Sequence, residues 1–373
     1  MVEIPCYKNS PIDKELSYLS ELESSNLDII NLLSNQLSKM FKNKKIILTN
    51  NHTSAHHLAL SALNTKRGDK IICSINSFVH TPETIRYFDS EPIFVDVNQD
   101  DFNINLNSLE DALKKYNHKK LKAMFVNHIA GQPSDLNEIR KLCEKYGVKV
   151  LNDGNFSLGL SYKGKLVGEE DLISSFSFTP HRKNPLFSAG FLVINDESIY
   201  AKAKELSNHA IDSFSNDGNI GYFYDVNDIG LDYSISQIDA VFAINLLNKY
   251  QEHINARKEI AKIYDNAFCK CEHITPPVNK GEHLYTRYIV KIDKNRDVFA
   301  RNLQKLGIFT GLHYVPIHLL TYYKNKYGLK INDFPNALKN YQQILSLPMY
   351  PDLTKSQVDR ICEAVLEIDN KSV

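Results

Sequence analysis

The sequence predicts an α/β fold in which helices sandwich a mostly parallel sheet, followed by a smaller α+β region. Between residues 44 and 195, short apolar runs alternate with helical patterns, which is typical of buried parallel strands joined by helices. The chain has 373 residues, more than one compact domain usually holds. We therefore predict a large domain over residues 1–245, including an N-terminal arm, and a small C-terminal α+β domain over residues 246–373.

The predicted elements follow from apolar runs and their periodicity. The strands of the large domain are expected at 44–49, 70–75, 91–97, 122–129, 148–153, 174–178 and 190–195. Helices are expected between them at 53–64, 82–87, 107–116 and 134–146. The later chain is expected to form helices over 234–268, a strand at 283–293, a helix at 297–306, an extended segment at 309–318, and helices at 335–345 and 354–368.

The composition narrows the classes of function. Lysine plus arginine and aspartate plus glutamate each number 44, so the formal net charge is zero, and no basic excess indicates nucleic acid or an anionic membrane as a partner. No run of 18 apolar residues predicts a membrane span, and the N-terminus lacks the pattern of a signal peptide. The six scattered cysteines are interpreted as reduced thiols of a cytoplasmic protein.

Candidate functional residues follow the predicted strands, because open α/β sheets bind ligands beyond the carboxyl ends of their strands. Asp153 ends a buried strand and could pair with a pyridine nitrogen. Lys183 follows another strand and could form a Schiff base. Thr53 and Ser54 open a helix whose N-terminus could receive a phosphate, and Phe78 could stack on a flat ring.

Spacing alone favours simpler interpretations of each candidate. Asp153 would cap a turn and Lys183 would be a solvated loop residue. Thr53 or Ser54 would be an ordinary helix cap, and Phe78 would pack in the core.

The histidine pairs give little indication of a metal site. His56 and His57 are adjacent on a predicted helix and therefore face different directions. His313 and His318 flank an extended segment at a spacing that is not typical of metal ligands. We expect no metal.

The order of several motifs changes the interpretation of Asp153 and Lys183, because together they resemble one known family. The motifs are the turn Asn51–His56, the strand GDKIICS (68–74), EPIFVDV with NIN at 103–105, His128-x-x-Gly131-Gln132-Pro133-x-Asp135, the stretch from Asp153 to Gly168, Phe176-Ser177-Phe178 with Lys183-Asn184, Thr310-x-x-His313-Tyr314-x-Pro316-x-His318, and residues 346–351. From about Ile4 to Val365, the chain resembles the DegT/DnrJ/EryC1/StrS sugar aminotransferases, which have the aspartate-aminotransferase type fold.

The resemblance implies pyridoxal 5′-phosphate (PLP), with its amine form PMP, as cofactor. Asp153 would hold the pyridine nitrogen and Lys183 would form the internal aldimine and move the proton. The other implied cofactor residues are Thr53, Ser54, Phe78, Phe156, Ser177 and Asp232, and the implied substrate residues are His313, Tyr314 and His318.

The implied reaction moves an amino group from an amino acid, expected to be glutamate, to a nucleotide-linked 4-keto-6-deoxyhexose for glycan synthesis such as O-antigen or lipopolysaccharide. The implied assembly is a homodimer with shared active sites, to which residues 229–234 of the partner contribute. The alternatives are a PMP-dependent keto-sugar dehydratase and a cofactor-free paralogue.

The chain departs from the family pattern at several positions. His52 replaces a small glycine, Phe156 replaces a glutamine, and Asp232 and Ser234 replace an asparagine and an arginine. One extra residue follows Ser177, so counting forward places Arg182 at the lysine position and counting back from Gly190 places Lys183 there. We favour Lys183, because an arginine stays protonated and cannot form the Schiff base.

Overall fold

The computed structural model describes residues 3–8, 28–178, 186–211, 215–217 and 221–371 of the chain. The side chains of residues 215–217, 221–223 and 371 are not described. The predicted Lys183, together with His181 and Arg182, lies outside the described residues.

A seven-stranded sheet dominates the described part of the chain. Its strands are β1 Lys45–Thr49, β2 Lys70–Ser74, β3 Glu91–Val95, β4 Leu121–Asn127, β5 Lys149–Gly154, β8 Ile173–Ser177 and β9 Gly190–Ile194. Two short strand pairs are β6 Ser161–Tyr162 with β7 Lys165–Leu166, and β10 Ser215–Asp217 with β11 Gly221–Phe223. The strands later in the chain are β12 Ile274–Thr275, β13 Tyr288–Ile292 and β14 Ile344–Leu347.

Helices cover both faces of the large sheet. The helices in chain order are α1 Ile29–Met40, α2 His52–Ala62, α3 His80–Arg86, α4 Leu106–Lys115, α5 Leu136–Lys145, α6 Glu197–Ser207, α7 Gln237–Asn248, α8 Tyr250–Phe268, α9 Arg296–Lys305, α10 Thr321–Tyr327, α11 Pro335–Gln343 and α12 Lys355–Lys371. Helix α2 is buried on most sides, since eight of its eleven residues are buried, including the polar His52, Ser54 and His56.

The large sheet has the order β1-β9-β8-β5-β4-β2-β3. Strand β9 runs antiparallel to both of its neighbours, β1 and β8, whereas the other pairs are parallel. In the β4–β5 pair, Asn127 lies opposite Asp153. The carboxyl ends of β4, β5 and β8 therefore meet at one edge, where the polar residues that follow them are collected.

A three-stranded antiparallel sheet, β12-β13-β14, forms a second layer later in the chain. Its apolar face packs with α8, α9 and α12 around Tyr264, Tyr288 and Phe299. The N-terminal segment joins this core, since Ile4 donates from its backbone to Gly307 at 2.8 Å and accepts from Phe309 at 2.9 Å. Ile4 is completely buried there.

The predicted fold class is confirmed, with differences at several elements. The predicted strand 283–293 is shorter, because the backbones of Leu284 and Thr286 donate instead to Gly131 and Ala130. The helix predicted to reach residue 345 ends at Gln343, since the fully buried run that follows pairs with β13 as β14. Helices α1 and α10 were not predicted.

The predicted division between residues 245 and 246 stays a prediction, and it lies within α7. Among the described residues, no helix is long and apolar enough to span a membrane.

Candidate active site

Asp153 lies at the carboxyl end of β5, with its carboxylate almost completely buried. The hydroxyl of Thr81 donates to its Oδ2 at 2.9 Å, and the backbone N–H of Asn155 donates to its Oδ1 at 3.2 Å. Both oxygens are therefore fixed by donors, as a buried carboxylate requires.

Three buried imidazoles surround this carboxylate. The Nε2 atoms of His52 and His56 lie 3.7 and 3.6 Å from Asp153 Oδ1, and the Nε2 of His80 lies 3.3 Å from Oδ2. Burial raises the pKa of Asp153, but His80 and His56 outweigh that effect through their charges and hydrogen bonds and hold the pKa well below its usual value. The carboxylate is therefore ionised.

The local fold explains why these histidines converge. His52 and His56 lie one turn apart on α2 and share a face, and His80 begins α3. This cluster was not predicted from the sequence, where His56 was paired only with the adjacent His57. The i, i+4 spacing of His52 and His56 was an available signal, whereas the distant His80 carried none.

The neighbouring His57 faces elsewhere, as predicted from its adjacency to His56. Its ring stacks on Phe88 with centroids 4.6 Å apart, and its Nδ1 lies 3.0 Å from the hydroxyl of Tyr233.

An aromatic wall, formed by Phe78, Tyr314 and Phe156, lines the same cavity as Asp153. Phe78, which follows the buried strand β2, is 38% exposed. Its ring centroid lies 6.2 Å from that of Tyr314, which in turn lies 6.5 Å from that of Phe156. The residues that line this cavity are Ser77, Phe78, His80, Asn127, His128, Ile129, Asp153, Asn155, Phe156 and Tyr314.

His128 of the predicted His-x-x-Gly-Gln-Pro motif is held as a neutral imidazole. Its Nδ1 accepts from the backbone of Ser134 at 3.1 Å, so its Nε2 carries the proton that it donates to Asn152 at 3.2 Å. Burial lowers the pKa of His128 to about 4. The ring is therefore a fixed, uncharged part of the cavity lining.

The predicted phosphate-binding residues lie at the first turn of α2 and at the end of β8. The side chain of Asn51 caps α2 by accepting from the backbone of Ser54 at 2.9 Å. Thr53 occupies this first turn, and Ser177 ends β8 opposite Gly190 of β9. A helix N-terminus with nearby hydroxyls suits a phosphate.

The three predicted substrate residues occupy different environments. Tyr314 lines the cavity, whereas the described lining includes neither His313 nor His318. His313 accepts at Nε2 from the guanidinium of Arg287 at 3.1 Å, and burial with this charge holds its pKa well below the usual value. His318 is fully buried, and its Nε2 donates to the carbonyl of Ile331 at 3.2 Å.

Arg287, which was not predicted from the sequence, packs against Phe156 and His313. Its buried guanidinium lies 5.1 Å from the ring centroid of Phe156 and 5.9 Å from that of Tyr7. An arginine in an ordinary strand-like segment has no sequence signal that distinguishes it, because its role depends on the aromatic rings packed against it.

Asp232, predicted to serve a partner subunit, is exposed on the described chain. It pairs by a backbone bridge with Asn208. Its side chain is therefore available for a contact outside this chain.

Comparisons with known proteins agree on one family. The model of the DegT/DnrJ/EryC1/StrS aminotransferase family matches residues 24–366. The uncharacterized protein MJ1066 of Methanocaldococcus jannaschii is 33% identical over 350 residues, which cover 89% of each chain.

Solved structures with the same fold include PseC of Helicobacter pylori, an aminotransferase involved in the biosynthesis of pseudoaminic acid. It is 25% identical, with a TM-score of 0.85 over 100% of this chain and 99% of that one. The PMP form of Spr1654 of Streptococcus pneumoniae is 23% identical, with a TM-score of 0.89 over 100% of both chains, and its PLP form is similar as well. The predicted cofactor class is confirmed for the family, which is PLP-dependent.

Proposed function

Because the chain belongs to the DegT/DnrJ/EryC1/StrS aminotransferase family, we propose that it is a PLP-dependent aminotransferase acting on a nucleotide-linked 4-keto-6-deoxyhexose. The proposed amino donor is glutamate, and the proposed setting is sugar synthesis for glycans in the cytoplasm. The observation that carries the proposal is the ionised Asp153, buried at the end of β5 beside the exposed ring of Phe78.

The residues at the sheet edge fit the cofactor in chemical type. An ionised carboxylate suits a protonated pyridine nitrogen, and a half-exposed aromatic ring suits a flat heterocycle. The capped N-terminus of α2, with Thr53 and Ser54, and the end of β8, with Ser177, suit a phosphate. His80, which lies 3.3 Å from Asp153 and lines the same cavity, would be a close neighbour of the ring.

Each residue then has a defined task. Asp153 keeps the pyridine nitrogen protonated, so that PLP, when bound, supplies an electron sink for the transferred group. Lys183 is proposed to attach the cofactor and to carry the proton between the substrate carbon and the cofactor. Thr81 and Asn155 hold the carboxylate in place through their hydrogen bonds.

The substrate is proposed to enter beside the aromatic wall. Tyr314 lines this side of the cavity, and His313 is fixed by Arg287 directly next to it. Since His318 bonds to a backbone carbonyl away from the described lining, its proposed contribution is to hold the loop that carries Tyr314.

The enzyme is proposed to work as a homodimer in which residues 229–234 of one chain reach the site of the other. Ile229 is 90% exposed in the described chain, and Tyr224 and Val226, which precede this segment, are 61% and 49% exposed. Clusters of exposed apolar side chains often mark interaction surfaces. Asp232 would be carried to the partner's site by the same segment.

Reduction with borohydride in the presence of PLP tests the chemistry. We expect a yellow protein whose cofactor becomes permanently attached to the peptide that contains Lys183, as read by mass spectrometry. The variant Lys183→Ala should lose the attachment, whereas Lys165→Ala, which removes a surface lysine paired with Glu170, should keep it. Incubation with glutamate and nucleotide-linked keto sugars should then yield an amino sugar.

The same assay separates the alternatives. A deoxygenated sugar as product would support the dehydratase instead. A protein that stays colourless with added PLP would contradict the proposal and support a cofactor-free paralogue.

A further inference from the structure

Three buried imidazoles are the described ion-pair partners of Asp153, the carboxylate that the proposed function assigns to the ring nitrogen of the cofactor. His52, His56 and His80 are each at most 3% exposed, and Asp153 is 4% exposed. A carboxylate this deeply buried needs a positive charge close to it. The cofactor would supply that charge only while it is bound, so the chain needs another source in its absence.

The hydrogen bonds show that two of these rings carry a proton on Nε2, the atom that faces Asp153. The hydroxyl of Thr81 donates to Asp153 Oδ2 at 2.9 Å, so its oxygen accepts from His80 Nε2, which lies 3.4 Å away. The hydroxyl of Ser175 donates to a backbone carbonyl at 3.0 Å and therefore accepts from His52 Nε2 at 3.2 Å. A further proton on Nδ1 of either ring would make it a cation and leave these bonds in place.

The three rings can share one additional proton but not two. Their centroids lie 4.5 Å apart for His52–His56, 4.9 Å for His52–His80 and 4.7 Å for His56–His80. Two imidazolium ions at these distances would repel each other strongly in a buried site. One imidazolium balances one carboxylate, so a cluster that holds a single additional proton is neutral as a whole.

Two further titratable side chains feel the charge of Asp153, and neither is ionised near neutral pH. Burial, together with Asp153, raises the pKa of the Cys73 thiol on β2. Burial lowers the pKa of His128, which follows β4, to about 4. Strand β8 contributes the hydroxyl of Ser175, which does not titrate. The additional proton therefore belongs to the three-ring cluster.

His80 connects this cluster to the cavity. The described lining includes His80 and Asp153 but neither His52 nor His56, and His80 Nε2 lies 3.3 Å from Asp153 Oδ2. A ring that reached Asp153 from the cavity would therefore meet His80 as well. An imidazolium and a protonated ring nitrogen would then share one carboxylate as like charges, so the proton held by the imidazoles has to leave.

We propose that His52, His56 and His80 hold one proton beside Asp153 in the cofactor-free protein and give it up when the cofactor binds. One imidazole N–H bond breaks, and the proton passes to an unprotonated ring nitrogen or, where the ring nitrogen already carries one, to water. Asp153 then faces one positive charge in both states and keeps its proposed role. The histidines are positioning residues, and the inference rests on the proposed function because it needs the cofactor ring at Asp153.

Nuclear magnetic resonance of the full-length protein, freed of cofactor and isotope-labelled in its histidines, tests the held proton. At about pH 7.5 exposed histidines are mostly neutral, whereas the cluster should show one imidazolium per chain. Saturation with PMP, whose amine forms no Schiff base with a lysine, should remove this signal. The imidazole nitrogen shifts of the unmodified protein give the result without any variant.

Calorimetric titration with PMP in two buffers of different ionisation enthalpy counts the protons released on binding. The triple variant His52→Gln, His56→Gln and His80→Gln keeps amide donors near Asp153 but cannot hold the additional proton. At about pH 7.5 it should release about one proton fewer per chain than the unmodified protein, because the hydroxyl and backbone donors described above still keep Asp153 ionised.

His57→Gln is the matched control, because it makes the same substitution in a neighbouring ring that contacts Phe88 and Tyr233 instead. It should release as many protons as the unmodified protein. Circular dichroism identifies a variant that fails to fold, and the resonance measurement on the unmodified protein then carries the test.

Three neutral cluster imidazoles in the cofactor-free protein would overturn the inference, as would an imidazolium that persists under saturating PMP. Equal proton release by the unmodified protein and the triple variant would also overturn it and leave the proposed function standing. A protein that does not bind PMP at all would contradict the proposed function, and the proton exchange would fall with it.

Discussion

His283 is a buried imidazole whose environment makes it sensitive to acid. Its ring stacks on Tyr285 with centroids 4.0 Å apart, and its Nδ1 accepts from the backbone of Tyr285 at 2.9 Å. Burial, together with the charge of Lys258, lowers the pKa of His283 to about 3. The folded protein therefore keeps this ring neutral through the range in which an unfolded histidine becomes charged.

We predict that this residue lowers the free energy of unfolding as the pH falls. The unfolded chain binds a proton here below about pH 6.5, whereas the folded chain does not until pH approaches about 3. Since the unfolded state binds more protons in this window, the free energy of unfolding decreases as pH falls, by about 2 kcal/mol at pH 5 from this residue. Urea unfolding at pH 7 and pH 5 measures the change.

The variant His283→Asn supplies the comparison, because its amide oxygen can accept from Tyr285 but does not titrate. It should be less stable than the unmodified protein at pH 7, owing to the lost ring stacking, and this deficit should shrink at pH 5. Equal pH dependence in the two proteins would contradict the assignment.

Residue by residue, the sequence predicted the parts of the site that depend on strand ends. Asp153 and Phe78 could be identified as candidates because they follow apolar strands, but only the family resemblance gives them cofactor roles, which stay predictions. Arg287 and His80 could not be identified in this way, since their significance comes from rings and carboxylates that are distant in sequence. Lys183 stays a prediction outside the described residues.

Helix α2 is the element that joins most of the site. Its first turn carries His52, Thr53 and Ser54, and Asn51 caps it by accepting from the backbone of Ser54 at 2.9 Å. Helix α4 has the same type of cap, in which Asn105 accepts from the backbone of Ser108 at 3.0 Å. The two caps should therefore contribute similarly to stability but differently to ligand binding.

Replacing Asn51 with alanine is predicted to lower the free energy of unfolding by about 1 kcal/mol, because one backbone donor of α2 loses its acceptor. Asn51→Asp should keep the stability but weaken PLP binding, since it places a negative charge beside the proposed phosphate position. Urea unfolding and PLP titration measure the two effects.

Asn105→Ala is the matched control for this cap. It should cost the same stability and leave PLP affinity unchanged. A loss of PLP affinity equal in Asn105→Ala and Asn51→Asp would mean that the effect is one of general stability, and the phosphate would then have to lie elsewhere.

At the level of elements, prediction succeeded where apolar runs were long and failed where a strand is defined by its partner. The run ILSL (344–347) is equally compatible with a helix end and a strand, and its pairing with β13 decides the outcome. In the same way, the backbone N–H groups of Leu284 and Thr286 donate to the carbonyls of Gly131 and Ala130. These bonds shorten β13 relative to the prediction.

For the whole molecule, the exposed apolar segment at Ile229 predicts an oligomer. The variant Ile229→Asp should convert the proposed homodimer to a monomer, because it places a charge in an apolar interface. Light scattering coupled to size-exclusion chromatography measures the mass of each. Loss of the partner segment should also weaken PLP retention.

Ile331→Asp provides the control, since Ile331 is also exposed, at 57%, but lies outside this segment. It should remain a dimer. An unmodified protein that is monomeric, or an Ile229→Asp variant that stays dimeric, would contradict the proposed assembly.

The pairing of Ile4 with residues 307–309 has a consequence for the order in which the chain is made. Ile4 leaves the ribosome some three hundred residues before its backbone partners, Gly307 and Phe309. At about 5–20 residues per second, synthesis leaves this segment without its partners for at least about 15 seconds. During that time the parallel sheet can already assemble, so docking of the N-terminal segment is a late step that follows translation of most of the chain.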